Sequence, residues 1–488
     1  MKSKSKVADL AIKIALMLAA FGICYYIGYG RDGIIDVKLR DASEYYYQNP
    51  SDLDRVQDPA VFRASNGFYY LYSVSEDEIL CRRSANLSEW SEPVSVYKPD
   101  GQGWAQGGLS APETVEYQGV FYLFYTAQTE SGSTRIGLAS CASADGTFTD
   151  LLNEPLFDSG YSSGNAEVLI EENGGRYLYF SGVRSEGALG QGETGLYGVS
   201  LAEDLRSVTG EPVCLTASWP ASGFGESGTA VIAHNGRYYL AYTAESAGTG
   251  TREAGYAVSD SPLGEFTVSG ENPVLSSDAP SEIGRMSFVY SPDGSELFLV
   301  YGERTGSDGS EEWRLAMDRA VILADGTLVV NGPTQYEQPL PANAARTNLA
   351  DSAVPGIGEG TEADGGQEAS VLNDGVFALY EGEGRSLILS AGENGTTDVT
   401  LTFPEARAIT SIVIYCGADP GLDFASADIL MDDDLQITDA ALPTMEHDRA
   451  LRMDFDEVYV SSITLSFLPK EGQNSVSLSE IMVFGEGT

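Results

Sequence analysis

Residues 57–72 read QDPAVFRASNGFYYLY, and this stretch sets a ruler that the chain repeats four more times. Asp58 opens it, a turn glycine (Gly67) stands nine positions on, and the aromatic strand FYYLY (68–72) follows. The same spacing starts again at Ser110, Asn165, Ser227 and Arg285, with glycines at Gly119, Gly174, Gly236 and Gly294. The strands after those glycines are VFYLFY (120–125), RYLYF (176–180), RYYLAY (237–242) and ELFLVY (296–301). Successive copies lie 52, 55, 62 and 58 residues apart. A period near 50–60 built of strand–turn–strand units is that of a β-propeller with one copy per blade. Further short strands such as CRRSANLSEW (81–90), LYGVSLAEDL (196–205) and AGYAVSDSPLGEF (254–266) complete four strands per copy. The innermost strand of each blade then begins near the ruler's first residue.

Working outward, residues 51–342 hold the five blades, and residues 30–50 read as a polar tether. Residues 343–368 (NAARTNLADSAVPGIGEGTEADGGQE) lack strand alternation and read as a linker. Strands return in 369–488 with DVTLTF (398–403), ITSIVIYC (409–416), VYVSSITLSF (458–467) and SLSEIMVFG (477–485), a pattern expected of a β-sandwich of about 120 residues. The expected fold class is all-β: a five-bladed propeller followed by a β-sandwich, with one N-terminal membrane-anchor helix.

That helix is read from residues 1–29. Lys2, Lys4, Lys6 and Lys13 precede an apolar stretch from Ile14 to Ile27, edged by Tyr25, Tyr26 and Tyr29. Lysines ahead of the stretch place the N-terminus inside and the bulk of the chain outside. The stretch falls short of the roughly 20 residues of a spanning helix, so a cleaved signal peptide is the alternative. No clean cleavage site follows it. The expectation is a single-pass cell-membrane protein with its C-terminal bulk outside, or alternatively a secreted one.

A formal charge of −44 excludes nucleic acid as a partner, because phosphates need a basic surface. Five cysteines lie far apart without a C-x-x-C pair, and there are only two histidines, His234 and His447. These counts give no metal signature and leave no room for a Ser-His-Asp triad. No cofactor is expected.

The propeller resembles the family 43 glycoside hydrolases over residues 51–342. The likeness is carried by QDPAVFRASNGFYYLY (57–72), SANLSEW (84–90), SAPETVEYQGVFYLFYTA (110–127), ESGTAVIAHNGRYYLAYTA (226–244), SPDGSELFLVYGER (291–304) and WRLAMDRAVILADGTLVVNGPT (313–334). In that family the start of each inner strand projects into a central funnel. The resemblance makes Asp58, in its Asp-Pro pair, the general base and Glu226 the general acid, one residue before the expected position. It makes Arg314 an arginine near the site. The other first positions depart from the family pattern: Ser110 for a tryptophan, Asn165 for an aspartate, Ser227 for the acid and Arg285 for a histidine.

Hydrolysis with inversion needs one protonated carboxyl and one carboxylate about 6.5–9.5 Å apart. Asn165 carries no charge with which to raise the acid's pKa, and Arg285 would favour ionised carboxylates. Asn165, Ser227, Arg285, Arg314, Trp104 and Glu113 are taken as substrate-binding candidates, with Asp58 and Glu226 as the catalytic pair. Each has a plainer reading. Arg285 could be a core charge paired with an acid, Glu113 and Glu167 could point into a blade, and Trp104 and Trp219 could be hydrophobic plugs. A family-like axial calcium is disfavoured by Arg285.

The implied function is an exported, membrane-tethered glycosidase acting on a pentose- or hexose-containing glycan, its partner being that poly- or oligosaccharide. The alternatives are a catalytically degraded propeller that binds glycan or protein, and a phosphorylase or lyase in which Arg285 and Arg314 hold an anion. The C-terminal region resembles galactose-binding-like (discoidin, carbohydrate-binding) modules through ASVLNDG (369–375) and SITLSFLPKEGQNSVSLSEIMVFG (462–485).

Overall fold

A computed structural model describes residues 34–158, 160, 162–184, 193–216, 229–245, 252–276, 281–305, 312–377, 385–442 and 449–487. The expected anchor, residues 1–29, lies outside the described residues. Among the described residues no helix is long and apolar enough to cross a membrane. The helices present there are 3-10 turns of three to five residues.

Residues 44–343 form one compact unit of five four-stranded antiparallel blades. Each blade is continuous in sequence, running from inner to outer strand. The inner strands are Gln57–Arg63, Gly107–Tyr117, Ser162–Ile170, Ala230–His234 and Ser281–Tyr290, of blades I to V. The five ruler glycines all adopt positive φ, between 76° and 91°, which is why glycine recurs at the turn into each second strand.

The second strands carry the aromatic residues that fill the spaces between blades. Tyr72, Tyr179 and Tyr239 are buried, yet each hydroxyl finds a carbonyl on the next blade. They donate to Ala144 at 2.6 Å, Pro262 at 2.9 Å and Gly326 at 3.1 Å. A buried phenol left unpaired would cost about 1–3 kcal/mol, so these bonds let large rings serve as core without penalty.

The ring closes without sharing a strand between its ends. Tyr46–Tyr47 pairs antiparallel with Gln338–Pro339. Asn49 then reinforces the junction, its Nδ2 donating to Asp318 Oδ1 at 3.1 Å and to Thr334 Oγ1 at 2.6 Å, while its Oδ1 accepts from the Met317 amide at 3.0 Å. Tyr301 and Thr334 also donate to Asp318, each at 2.6 Å.

Residues 344–487 form a second all-β unit together with residues 34–43. Its sheet has eleven strands around one core of buried Leu, Ile, Val and Phe side chains. The expected strands 398–403 and 409–416 are parts of one 20-residue strand, Thr397–Cys416, interrupted by bulges.

Two expectations need correction here. The tether is structured: Ile35–Asp36 pairs with Leu435–Gln436, and Leu39–Arg40 pairs with Asp454–Phe455. The linker is structured as well, because Thr347–Asn348, Val354–Ile357 and Glu362–Ala363 add to the same sheet. Strands of two to four residues are too short to show an alternation, and their order comes from a neighbour's backbone groups instead of their own side chains.

Candidate active site

Four of the inner strands break register at the ruler's first residue. The breaks fall between Gln57 and Ala60, on both sides of Ser110, between Gly164 and Glu167, and between Ile283 and Met286. A bulge adds an unpaired residue and re-aims a side chain, here at the mouth of the central funnel. Three of these bulges hold a non-glycine residue at positive φ: Asp58 at 50°, Ala111 at 45° and Asn165 at 54°. Such backbone costs about 1–3 kcal/mol per residue and persists where the surroundings enforce it, typically at functional sites.

Asp58 is half-buried, and its Oδ2 accepts the Ala111 amide of blade II at 3.1 Å. One bulge thus orients the carboxylate and the next holds it, leaving Oδ1 unclaimed by that bond. Asn165 presents its backbone amide to Thr126 Oγ1 at 3.0 Å and its side-chain Nδ2 to Ser181 Oγ at 2.7 Å. These bonds fix it as a neutral group at its bulge.

Arg285 turns the other way, into the axis. It is 1% exposed, and its Nη2 donates to Glu113 Oε2 at 2.8 Å and to the Ala166 carbonyl at 2.7 Å. Glu167 Oε2 lies 3.6 Å from the same nitrogen. The plainer reading of Arg285 as a core charge paired with an acid matches this geometry. An anion in the funnel could not reach a guanidinium so enclosed, which removes one of the two arginines on which the phosphorylase or lyase alternative depended. Glu113, expected at the substrate, is likewise spent on Arg285.

Burial pushes Glu113 up to about 7, against the lowering by the Arg285 guanidinium and by the Val168 amide. Glu167 is raised further, first by burial and then by the charge of Glu113. Its Oε1 accepts the Val231 amide of blade IV at 3.2 Å. Towards the turn-glycine end, both carboxyls border a cavity of about 470 Å³, with Val61, Val231 and Ser287.

Of the remaining candidates, Glu226 and Ser227 lie outside the described residues, as does Trp219. Trp104 packs on Tyr125 with ring centroids 6.1 Å apart and planes 10° from parallel, among the core residues of blades I and II. The hydrophobic plug describes it. Arg314 is exposed, beside Glu303 on the adjacent strand.

Three residues escaped the sequence reading. Glu167, expected to point into a blade, stands as far from Asn165 as Ser287 stands from Arg285. Glu303 is 1% exposed, pushed up to about 7 chiefly by burial, and held by Gln335 Nε2 at 2.8 Å. No spacing rule marks it. Trp313 lies against Gly284 and Gly302 of blade V, and the paired glycines were the only available signal.

The arrangement offers one oriented carboxylate at the funnel mouth and a buried ion cluster beneath it. A model of the glycosyl hydrolases family 43 matches residues 47–328. The chain is 25% identical over 246 residues to the beta-D-galactofuranosidase xynD of Aspergillus niger, covering 49% of this chain and 66% of that protein. It is 24% identical over 297 residues to the extracellular exo-alpha-(1->5)-L-arabinofuranosidase of Streptomyces avermitilis, covering 55% and 60%. In each case the chain spans less than two thirds of the relative's length. Among solved structures, a thermostable family-43 glycoside hydrolase superposes with a TM-score of 0.54 at 31% identity, over 61% of this chain and 99% of that one.

Proposed function

The chain belongs to family 43 of the glycosyl hydrolases, and from that membership we propose that it hydrolyses a furanosidic glycan by acid–base catalysis with inversion. The observation that carries the proposal is Asp58: a carboxylate on strained backbone at the funnel mouth, fixed by the Ala111 amide. In this position it serves as the base that activates water. Glu226 is proposed as the acid that protonates the leaving oxygen. The furanose preference rests on the two curated relatives, whose names share that ring form across a pentose and a hexose.

The test is turnover of chromogenic α-L-arabinofuranoside and β-D-galactofuranoside by the unmodified chain, Asp58→Asn and Glu226→Gln. Activity in the unmodified chain that both substitutions abolish supports the assignment. Activity that survives Asp58→Asn sinks it.

A second reading is favoured by Ser110, Asn165 and Ser227, neutral residues at three of the five first positions, and by Arg285 at a fourth. It takes the propeller as a glycan-binding module without turnover, and glycan binding by a chain that hydrolyses none of the panel would select it. We further propose that residues 1–29 anchor the protein to the membrane with the bulk outside, and that the C-terminal unit binds glycan. Protease accessibility on intact cells and glycan-array binding by the full chain test these two points.

A further inference from the structure

The structure places an indole on a strand beside the Asp-Pro pair. Trp313 opens the third strand of blade V, Trp313–Ile322, and is half-buried. Its six-membered ring lies over two glycines. A Cβ added at Gly284 would meet Trp313 Cζ3 at 2.7 Å, and one added at Gly302 would meet Cε3 at 3.2 Å. Glycine inside a strand weakens it and marks a place where another group approaches closely.

Both glycines matter to the funnel. Gly284 sits in the bulge of the inner strand, next to Arg285. The same Cβ at Gly302 would meet Pro59 Cδ at 3.1 Å, so the ring and the proline following Asp58 flank one point. The indole therefore extends from the third strand of its blade across the second to the first, on the side that meets Pro59 of blade I.

Its seat is held by a charged pair on the two inner strands of the same blade. Arg304, directly across in register, sets its guanidinium 5.4 Å from the ring centroid and is anchored by Glu282 at 2.7 Å. Among the described residues no hydrogen bond engages the indole N–H. An indole beside the Asp-Pro pair suits a sugar ring, whose C–H face can lie on the π-cloud while a hydroxyl accepts from the N–H.

We propose that Trp313 is the stacking wall of the sugar site, holding the ring that Asp58 attacks through water. The inference rests on the glycosidase reading above and assigns the substrate contact within it.

The test uses the full chain in an Asp58→Asn background for calorimetric binding of a short arabinofuranosyl oligosaccharide, and an Asp58 background for KM on the chromogenic furanosides. Trp313→Ala opens a hole over the two glycines, so Trp313→Leu accompanies it, keeping the apolar packing without the aromatic face. Trp313→Leu is expected to weaken binding and raise KM about tenfold, and Trp313→Phe to stay within about threefold of the unmodified chain. Wild-type binding by a Trp313→Leu protein with an unchanged unfolding temperature overturns the inference and leaves the reading of Asp58 intact. A parent chain that neither binds nor hydrolyses any furanoside overturns the glycosidase reading, and this inference with it.

Discussion

Arg285 Nη2 stands 2.8 Å from Glu113 Oε2, so a side chain of blade V neutralises one of blade II at the centre of the ring. Removing the cation leaves two buried carboxyls without a counter-charge. Arg285→Leu is expected to cost about 3–5 kcal/mol at pH 8. The loss shrinks towards pH 5, below the value of about 7 to which burial raises Glu113, where that carboxyl is protonated and no longer needs the cation. Urea unfolding at the two pH values measures it, and a loss of equal size at both would show that the carboxyls do not depend on the arginine.

Asp58→Asn separates chemistry from architecture. Asparagine tolerates the 50° φ and still offers an oxygen to the Ala111 amide, so stability should change by less than about 0.5 kcal/mol. Removing the base is expected to lower kcat by about 10²–10⁴. Parallel thermal unfolding and furanoside kinetics read the two effects on the same samples.

Glu303→Gln should stabilise the propeller in a pH-dependent way. Burial holds the Glu303 carboxyl up at about 7, above its unfolded value, so the folded state binds the proton more tightly. The unmodified chain then loses stability as pH rises from about 4.5 to 7, and the loss is complete above that range. Glutamine carries no such proton and can keep Gln335 as partner. The variant should match the parent near pH 4.5 and exceed it by on the order of 3 kcal/mol at pH 8. Equal unfolding curves at pH 8 would place the Glu303 carboxylate in a wetter setting than the one described.

Asn49→Ala tests the closure of the ring. It deletes the donor to Asp318 and Thr334 and the acceptor for the Met317 amide, and leaves the blades themselves untouched. The expected cost is about 1–3 kcal/mol. Hydrogen exchange should accelerate first in blade V and in residues 46–50. Uniform acceleration around the ring would mean that the closure is not its weakest seam.

The architecture was legible because its determinants are local and repeated. A glycine forced to positive φ and an aromatic strand after it recur five times, and each blade needs only its own residues to form. The site was legible in part. Asp58 could be found from its proline and its place in the ruler. The direction of Arg285 could not, because a bulge decides whether a first-position side chain points into the funnel or down the axis, and a bulge leaves no periodic trace. Glu303 and Trp313 lay beyond reach for another reason. Their neighbours come from other strands, so burial and the glycine seat exist only once the blades are packed. The short strands of 35–40 and 347–363 were read as connectors because they borrow their order from longer ones.

One pairing has a consequence in time. Ile35 lies beside Leu435, and Asp36 accepts from Gln436, 400 residues further along the chain. At synthesis rates of about 5–20 residues per second, the first strands of that sheet wait roughly 20–80 s for their partners to be made. The blades, each complete within one stretch of chain, have all been translated by then. During translation the propeller is an insert that can finish folding while the sheet on either side of it is still half written.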